Sequence, residues 1–123
     1  MLTPNLDYVL LFVKDPTISA EFYRKILGLK PIEQSPTFAL FALPNNLKLG
    51  LWSSKTAEPK VTAQPGAAEI TFSNDNIDEL YQHWLDLGIP IAQKPTDTDF
   101  GRTFVVLDPD GHRIRIHKMI KRS

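Results

Sequence analysis

The chain is 123 residues long, about the size of one ordinary domain and enough to bury a core without disulfide or metal staples. Lys and Arg together number 14 and so do Asp and Glu, so no net field recruits nucleic acid or an anionic membrane, and any charge that matters is local. Cysteine is absent, which excludes disulfides, thiolate nucleophiles and thiolate metal sites while leaving the cellular compartment open.

The first patterned stretch, YVLLFVKD, starts at Tyr8 and sets Val9, Leu11 and Val13 against Tyr8, Leu10 and Phe12. A strand puts successive side chains on opposite faces, so this reads as a strand with two different faces. Its apolar run is too short to span a membrane or to form a signal core, and Asp7 and Lys14 flank it, so a soluble cytoplasmic protein is expected. An amphipathic helix follows, with Ile18, Phe22, Tyr23, Ile26 and Leu27 expected inward and Gly28 as its stop. LPNNLKLGLW, residues 43–52, is a turn and then an alternating strand with Leu47, Leu49 and Leu51 on one face and Lys48, Gly50 and Trp52 on the other. Residues 57–67 are rich in Pro, Gly and Ala and read as a linker.

The pattern then repeats. AEITFSND is a strand with Ile70 and Phe72 on one face and Glu69 and Thr71 on the other, and it leads into a helix with Ile77, Leu80, Tyr81 and Trp84 inward, stopping at Gly88. DPDGHRIRIH, residues 108–117, aligns without gaps on residues 43–52: Pro109 falls on Pro44, Asp110 on Asn45, Arg115 on Gly50 and His117 on Trp52. Two copies of a strand, helix and strands unit, residues 1–56 and 68–123, thus recur with a period of roughly 60 residues. One helix per unit covers only one face of a sheet, which predicts an α+β fold with the other face open to solvent, ligand or partner. Tyr8, Leu10, Phe12, Lys48, Gly50 and Trp52 from the first unit, and Glu69, Thr71, Arg113, Arg115 and His117 from the second, belong to that open face.

VKDPTISAEFYRKILGL near the start and FGRTFVVLDPDGHRIRI near the end resemble the vicinal oxygen chelate superfamily, which includes glyoxalase I, extradiol dioxygenases, fosfomycin resistance enzymes and bleomycin-binding proteins. The resemblance implies two βαβββ units whose mixed sheet curls around a cavity, helices on the outer face, often completed by a homodimer. It also implies four inward positions where the family's enzymes carry metal-ligating His or Glu; on this chain they fall at Tyr8, Gly50, Glu69 and Arg115. Only Glu69 suits a divalent cation, since a phenol is protonated near neutrality, glycine has no side chain and a guanidinium offers no lone pair. Neither metal nor other cofactor is therefore expected. Of the histidines, His83 reads as solvated or half-buried on a helix, His112 as facing solvent or capping backbone after a turn, and His117 as the one on the open face.

Within the superfamily, LWS at 51–53, AEI at 68–70 and DFGRTF followed by DPDGHRIRI at 99–116 are similar to the phenazine antibiotic resistance proteins, which bind a planar tricyclic compound without transforming it. That likeness implies ligand contacts at Tyr8, Phe12, Trp52, Glu69, Phe104, Arg115 and His117, with the aromatics stacking on a flat ring and Arg115 pairing with an acidic substituent. Other roles stay open for some of these residues. Glu69 and Arg115 make either a ligand contact or an internal ion pair; Trp52 is equally suited to core or dimer packing; Arg113, nearer the turn, reads as a rim charge. Phe38, Phe41 and Phe100 share with Phe104 the reading of cavity walls. The leading expectation is a metal-free binding protein. Its competitor is an enzyme, a glyoxalase-type lyase or isomerase or a dioxygenase-type enzyme, either with atypical metal ligands or metal-free with Glu69 as base, a role that Arg115 nearby opposes by stabilising the carboxylate.

Overall fold

The computed structural model describes residues 2–119, which order as β1 (Tyr8–Val13), α1 (Pro16–Leu27), β2 (Glu33–Gln34), β3 (Phe38–Ala42), β4 (Lys48–Ser53), β5 (Glu69–Ser73), α2 (Ile77–Asp86), β6 (Ile91–Thr98), β7 (Gly101–Leu107) and β8 (Arg113–Met119). The chain divides into two compact units between Pro65 and Gly66. Each is a βαβββ unit with its own four-stranded mixed sheet, ordered β1-β4-β3-β2 in the first and β5-β8-β7-β6 in the second. In both, the first strand pairs in parallel with the last, and the remaining pairs are antiparallel.

The helix starts and stops have local causes. Asp15 accepts a hydrogen bond from the Thr17 backbone N–H at 3.0 Å, satisfying one of the amides the first turn leaves open, and Pro16 needs no amide partner at the first helical position. At the other end Gly28 takes φ of 67°, a left-handed conformation that a side chain would disfavour, and its N–H bonds the Arg24 carbonyl. The buried stripe of α1 consists of Pro16, Ser19, Ala20, Phe22, Tyr23 and Ile26. Ile18, expected inward, is 57% exposed: it lies one step outside that stripe, and small Ser19 and Ala20 let the helix sit close to the sheet instead.

Beneath the helices lies the alternation read from the strands. Leu11, Val13, Leu49, Leu51, Ile114 and Ile116 are buried, as are Ile77 and Trp84 on α2. Phe104 is also fully buried, with its ring centroid 5.5 Å from both Tyr81 and Trp84 of α2. It pairs across the ladder with Ile116 and so shares the helix side, which corrects its reading as a cavity wall: two edge-on rings of α2 claim it for the core. Phe41, likewise read as a wall, is fully buried and faces Tyr23 of α1. Among the described residues no helix is long and apolar enough to cross a membrane.

Candidate functional site

On the open face of the first unit, β1 and β4 pair Tyr8 with Lys48, Leu10 with Gly50 and Phe12 with Trp52, and β3 adds Phe38 opposite Trp52. Paired residues share a face, so three rings converge. The Phe12 and Phe38 centroids each lie 6.3 Å from that of Trp52, tilted by 34° and near edge-on at 86°. Phe12, Phe38 and Trp52 are all half-buried, which leaves ring surface for a ligand. Tyr8 stands apart with the Lys48 ammonium 5.1 Å above its ring, and Lys48 in turn pairs with Asp7 at 3.6 Å. At Gly50 a β-carbon would run into Leu10 Cδ2 and lie 3.3 Å from the Phe38 ring, so Leu10 and Phe38 close over the spot where a side chain would emerge.

The second unit is built alike and dressed differently. Arg115 Nε donates to Glu69 Oε2 at 3.2 Å and Nη2 to Oε1 at 3.5 Å, while Nη1 donates to Thr103 Oγ1 at 3.2 Å and to Gln93 Oε1 at 3.4 Å. Thr103 is fully buried and gives its own hydroxyl proton to the Ile116 carbonyl at 2.8 Å, so toward Arg115 it can only accept. Arg113, read from sequence as a rim charge, also reaches Glu69, with Nε 2.9 Å from Oε1. Two guanidiniums around one carboxylate leave a net positive charge on this face. His117 occupies the open face beside them, level with Ser73 and Thr103 and half-buried.

Thus Phe12 and Trp52 come together in one unit, and Glu69 and Arg115 in the other; Tyr8 and His117 share their units' open faces, and Phe104 does not. Phe38, read from sequence as a cavity wall, joins the first group, and Gln93 and Thr103 join the second without having been assigned to it from sequence. At Phe38 the signal was its place opposite Trp52, which requires the hairpin register; at Gln93 and Thr103 only the three-strand ladder supplies it.

His112 departs furthest from its expected surroundings: it is 3% exposed. Its Nε2 accepts the Gly66 N–H at 3.0 Å, which places the ring proton on Nδ1, donated to Asp108 Oδ2 at 2.8 Å. Asp108 Oδ1 also accepts the backbone N–H groups of Asp110 and His112. Ligand atoms of Asp108, Asp110 and His112 lie within 4.8 Å of one another, near enough for a cation, yet both Asp108 oxygens and both His112 nitrogens already brace the turn. Elsewhere Arg102 forks onto Asp78 of α2 at 2.8 and 3.0 Å and onto Asp97 at 2.9 Å. The hydrogen bonds from Arg102 hold the Asp78 carboxyl below its ordinary range, and those to Asp78 and Asp97 raise Arg102 further above its own.

Paired βαβββ units with one helix-covered and one open sheet face define a glyoxalase-type fold, and residues 5–116 match the Glyoxalase/Bleomycin resistance protein/Dioxygenase superfamily, to which the chain belongs. It is 31% identical over 121 residues to the phenazine antibiotic resistance protein EhpR of Enterobacter agglomerans, covering 94% of this chain and 91% of that one. Protein ATC0852 from Agrobacterium tumefaciens, a solution NMR structure, is 40% identical and superposes with a TM-score of 0.85, covering 97% of this chain and all of that one. A glyoxalase/bleomycin resistance protein/dioxygenase from Nocardioides has the same fold at 22% identity, with a TM-score of 0.84 over the whole of this chain and 88% of its own.

Taken position by position, the residues where related enzymes hold a metal do not fit a divalent cation. Gly50 is roofed by Leu10 and Phe38, Tyr8 carries a lysine over its ring, Arg115 is a cation itself, and the single carboxylate, Glu69, is already engaged by two arginines.

Proposed function

We propose that this protein sequesters a planar aromatic small molecule of the phenazine antibiotic type, without transforming it and without a metal ion, and thereby confers resistance. The observation that carries this reading is the ring cluster of the first unit, in which Phe12 and Phe38 each stand 6.3 Å from a half-buried Trp52 on the open face. Rings held against one another keep a stacking surface in place before the ligand arrives. The arginines of the second unit suit a ligand with an acidic substituent, and the 31% identity to a phenazine antibiotic resistance protein points to the same class. A homodimer belongs to the reading, because Tyr8 and Leu10 remain 43% and 38% exposed on the ring-bearing face.

A lyase or isomerase using Glu69 as base is disfavoured by the two guanidiniums, which occupy the lone pairs that a base would offer to substrate. The test is titration with phenazine-1-carboxylate and with unsubstituted phenazine, followed by tryptophan fluorescence. Trp84, 3% exposed under α2, supplies an unresponsive background. Stacking adds about 0.5 to 1.5 kcal/mol to about 1.5 to 3 kcal/mol from burial, so Trp52→Ala is expected to weaken binding about a hundredfold. Trp52→Phe should abolish the quench. A quench that survives Trp52→Phe, or the absence of binding by either compound, overturns the reading; about one zinc, nickel or iron per chain by elemental analysis overturns its metal-free part.

A further inference from the structure

Resting on the reading of an acidic aromatic ligand, we infer that on the open face of the second unit a carboxylate is received by Arg113, and that Arg115 is a positioning residue that holds Glu69 beside it. The inventory of N–H groups separates the two arginines. A guanidinium has five, and Arg115 has committed four of them to Glu69, Thr103 and Gln93, acceptors on three different strands. Its side chain is 18% exposed. A carboxylate arriving at Arg115 finds one N–H and no fork, and to gain a second it must evict Glu69 or break into a buried threonine whose only proton is spoken for by the Ile116 carbonyl.

Arg113 presents the opposite case. Its side chain is 53% exposed and touches the cluster through Nε, 2.9 Å from Glu69 Oε1. Among the described residues its terminal nitrogens donate no hydrogen bond, so both are available as the parallel pair that a carboxylate accepts best. Glu69 ties the arrangement together: anchored on Arg115, it draws in the Nε end of Arg113 and leaves the terminal pair uncommitted. The register puts Arg113 opposite Glu69 and Arg115 opposite Thr71, so this relay runs along one face of two adjacent strands. Selectivity for acids therefore resides in the arginine nearer the turn.

The experiment compares phenazine-1-carboxylate with unsubstituted phenazine on the full chain and on Arg113→Gln, Arg113→Lys and Arg115→Gln, with affinities read by fluorescence. A charge-assisted fork corresponds to a preference for the acid of about tenfold or more in the parent. Arg113→Gln should reduce that preference to about one and leave the neutral compound within about twofold, whereas Arg113→Lys, which keeps the charge and loses the fork, should retain part of it. Arg115→Gln should diminish the preference less than Arg113→Gln does. A preference undiminished in Arg113→Gln, or removed by Arg115→Gln alone, overturns this assignment while the phenazine reading stands. Binding of neither compound to the parent overturns both.

Discussion

The two units run the same chain path, β1-β4-β3-β2 in one and β5-β8-β7-β6 in the other, and finish it with opposite chemistry. Where the first sheet sets Phe12, Phe38 and Trp52 on its open face, the second sets Glu69, Arg113 and Arg115. The sides under the helices do not diverge in this way: Leu49 and Leu51 answer to Ile114 and Ile116, all 2% exposed or less. One face is bound by close packing, where a change of even one methylene is felt. The other is free of that constraint, so a duplicated scaffold can keep its backbone while each copy carries different side chains there, aromatic in one and charged in the other.

The largest expected effect lies on the shared side. Phe104→Ala removes a fully buried ring from between Tyr81 and Trp84 and should cost about 3 to 5 kcal/mol in denaturant unfolding. Phe41→Ala, beneath the first helix and equally buried, should cost a similar amount. If one is tolerated and the other unfolds the chain, the packed sides of the two units are not equivalent.

The open side of the first unit gives the next effect. Gly50→Glu restores a carboxylate at a position where related enzymes carry a metal ligand, but it must displace Leu10 and crowd the Phe38 ring. Overpacking of this kind should cost about 1 to 3 kcal/mol, with no zinc retained after dialysis. A protein of unchanged midpoint that holds stoichiometric zinc would show that the roof over Gly50 is soft and that the metal positions are one substitution from competence.

In the second unit, Thr103→Val keeps the shape of a buried side chain and removes the acceptor from Arg115 Nη1 along with the bond to the Ile116 carbonyl. Losing those two bonds in a buried setting should cost about 1 to 3 kcal/mol, a loss visible as a lower unfolding midpoint. Equal stability would mean that Arg115 is held by Glu69 and Gln93 alone.

How much of this was legible in the sequence follows from the same division. β1, β4 and β8 each have one buried and one open face, so their alternation places Trp52 and Arg115 correctly and brings Arg115 within reach of Glu69. β7 carries four consecutive buried residues, Thr103 to Val106, and a strand packed on both sides has no period from which to tell Phe104 from Thr103. Ile18 was misplaced because apolarity was weighed above the position of the stripe, which small Ser19 and Ala20 define. His112 owes its burial to the Gly66 N–H, 46 residues away in sequence, and the reach of Arg113 to Glu69 depends on the β5–β8 register. Local pattern holds no record of either contact.

The smallest effect concerns how each helix is fastened. In the first unit Asp15 caps α1 through the Thr17 amide; in the second Asn76 makes no such side-chain bond, and α2 is tied instead by Asp78 to Arg102. The Asp78 carboxyl is held below its ordinary value by the hydrogen bonds from Arg102. A carboxylate lowered on folding binds its proton more readily when unfolded, so its stabilisation is fully present above the unfolded value of about 3.9 and is lost as pH falls through the lower folded one. Both partners reach solvent, with side chains 69% and 36% exposed, so water and salt screen the pair and the effect should be small. Asp78→Asn should therefore lower the unfolding midpoint slightly and by a constant amount at neutral pH, with the gap to the parent closing once the pH drops below about 4. Raising the salt should narrow the same gap. A gap that is unchanged in acid would mean that Asp78 holds α2 by packing or by contacts that do not need its charge, and that the ion pair with Arg102 does not fasten the second helix.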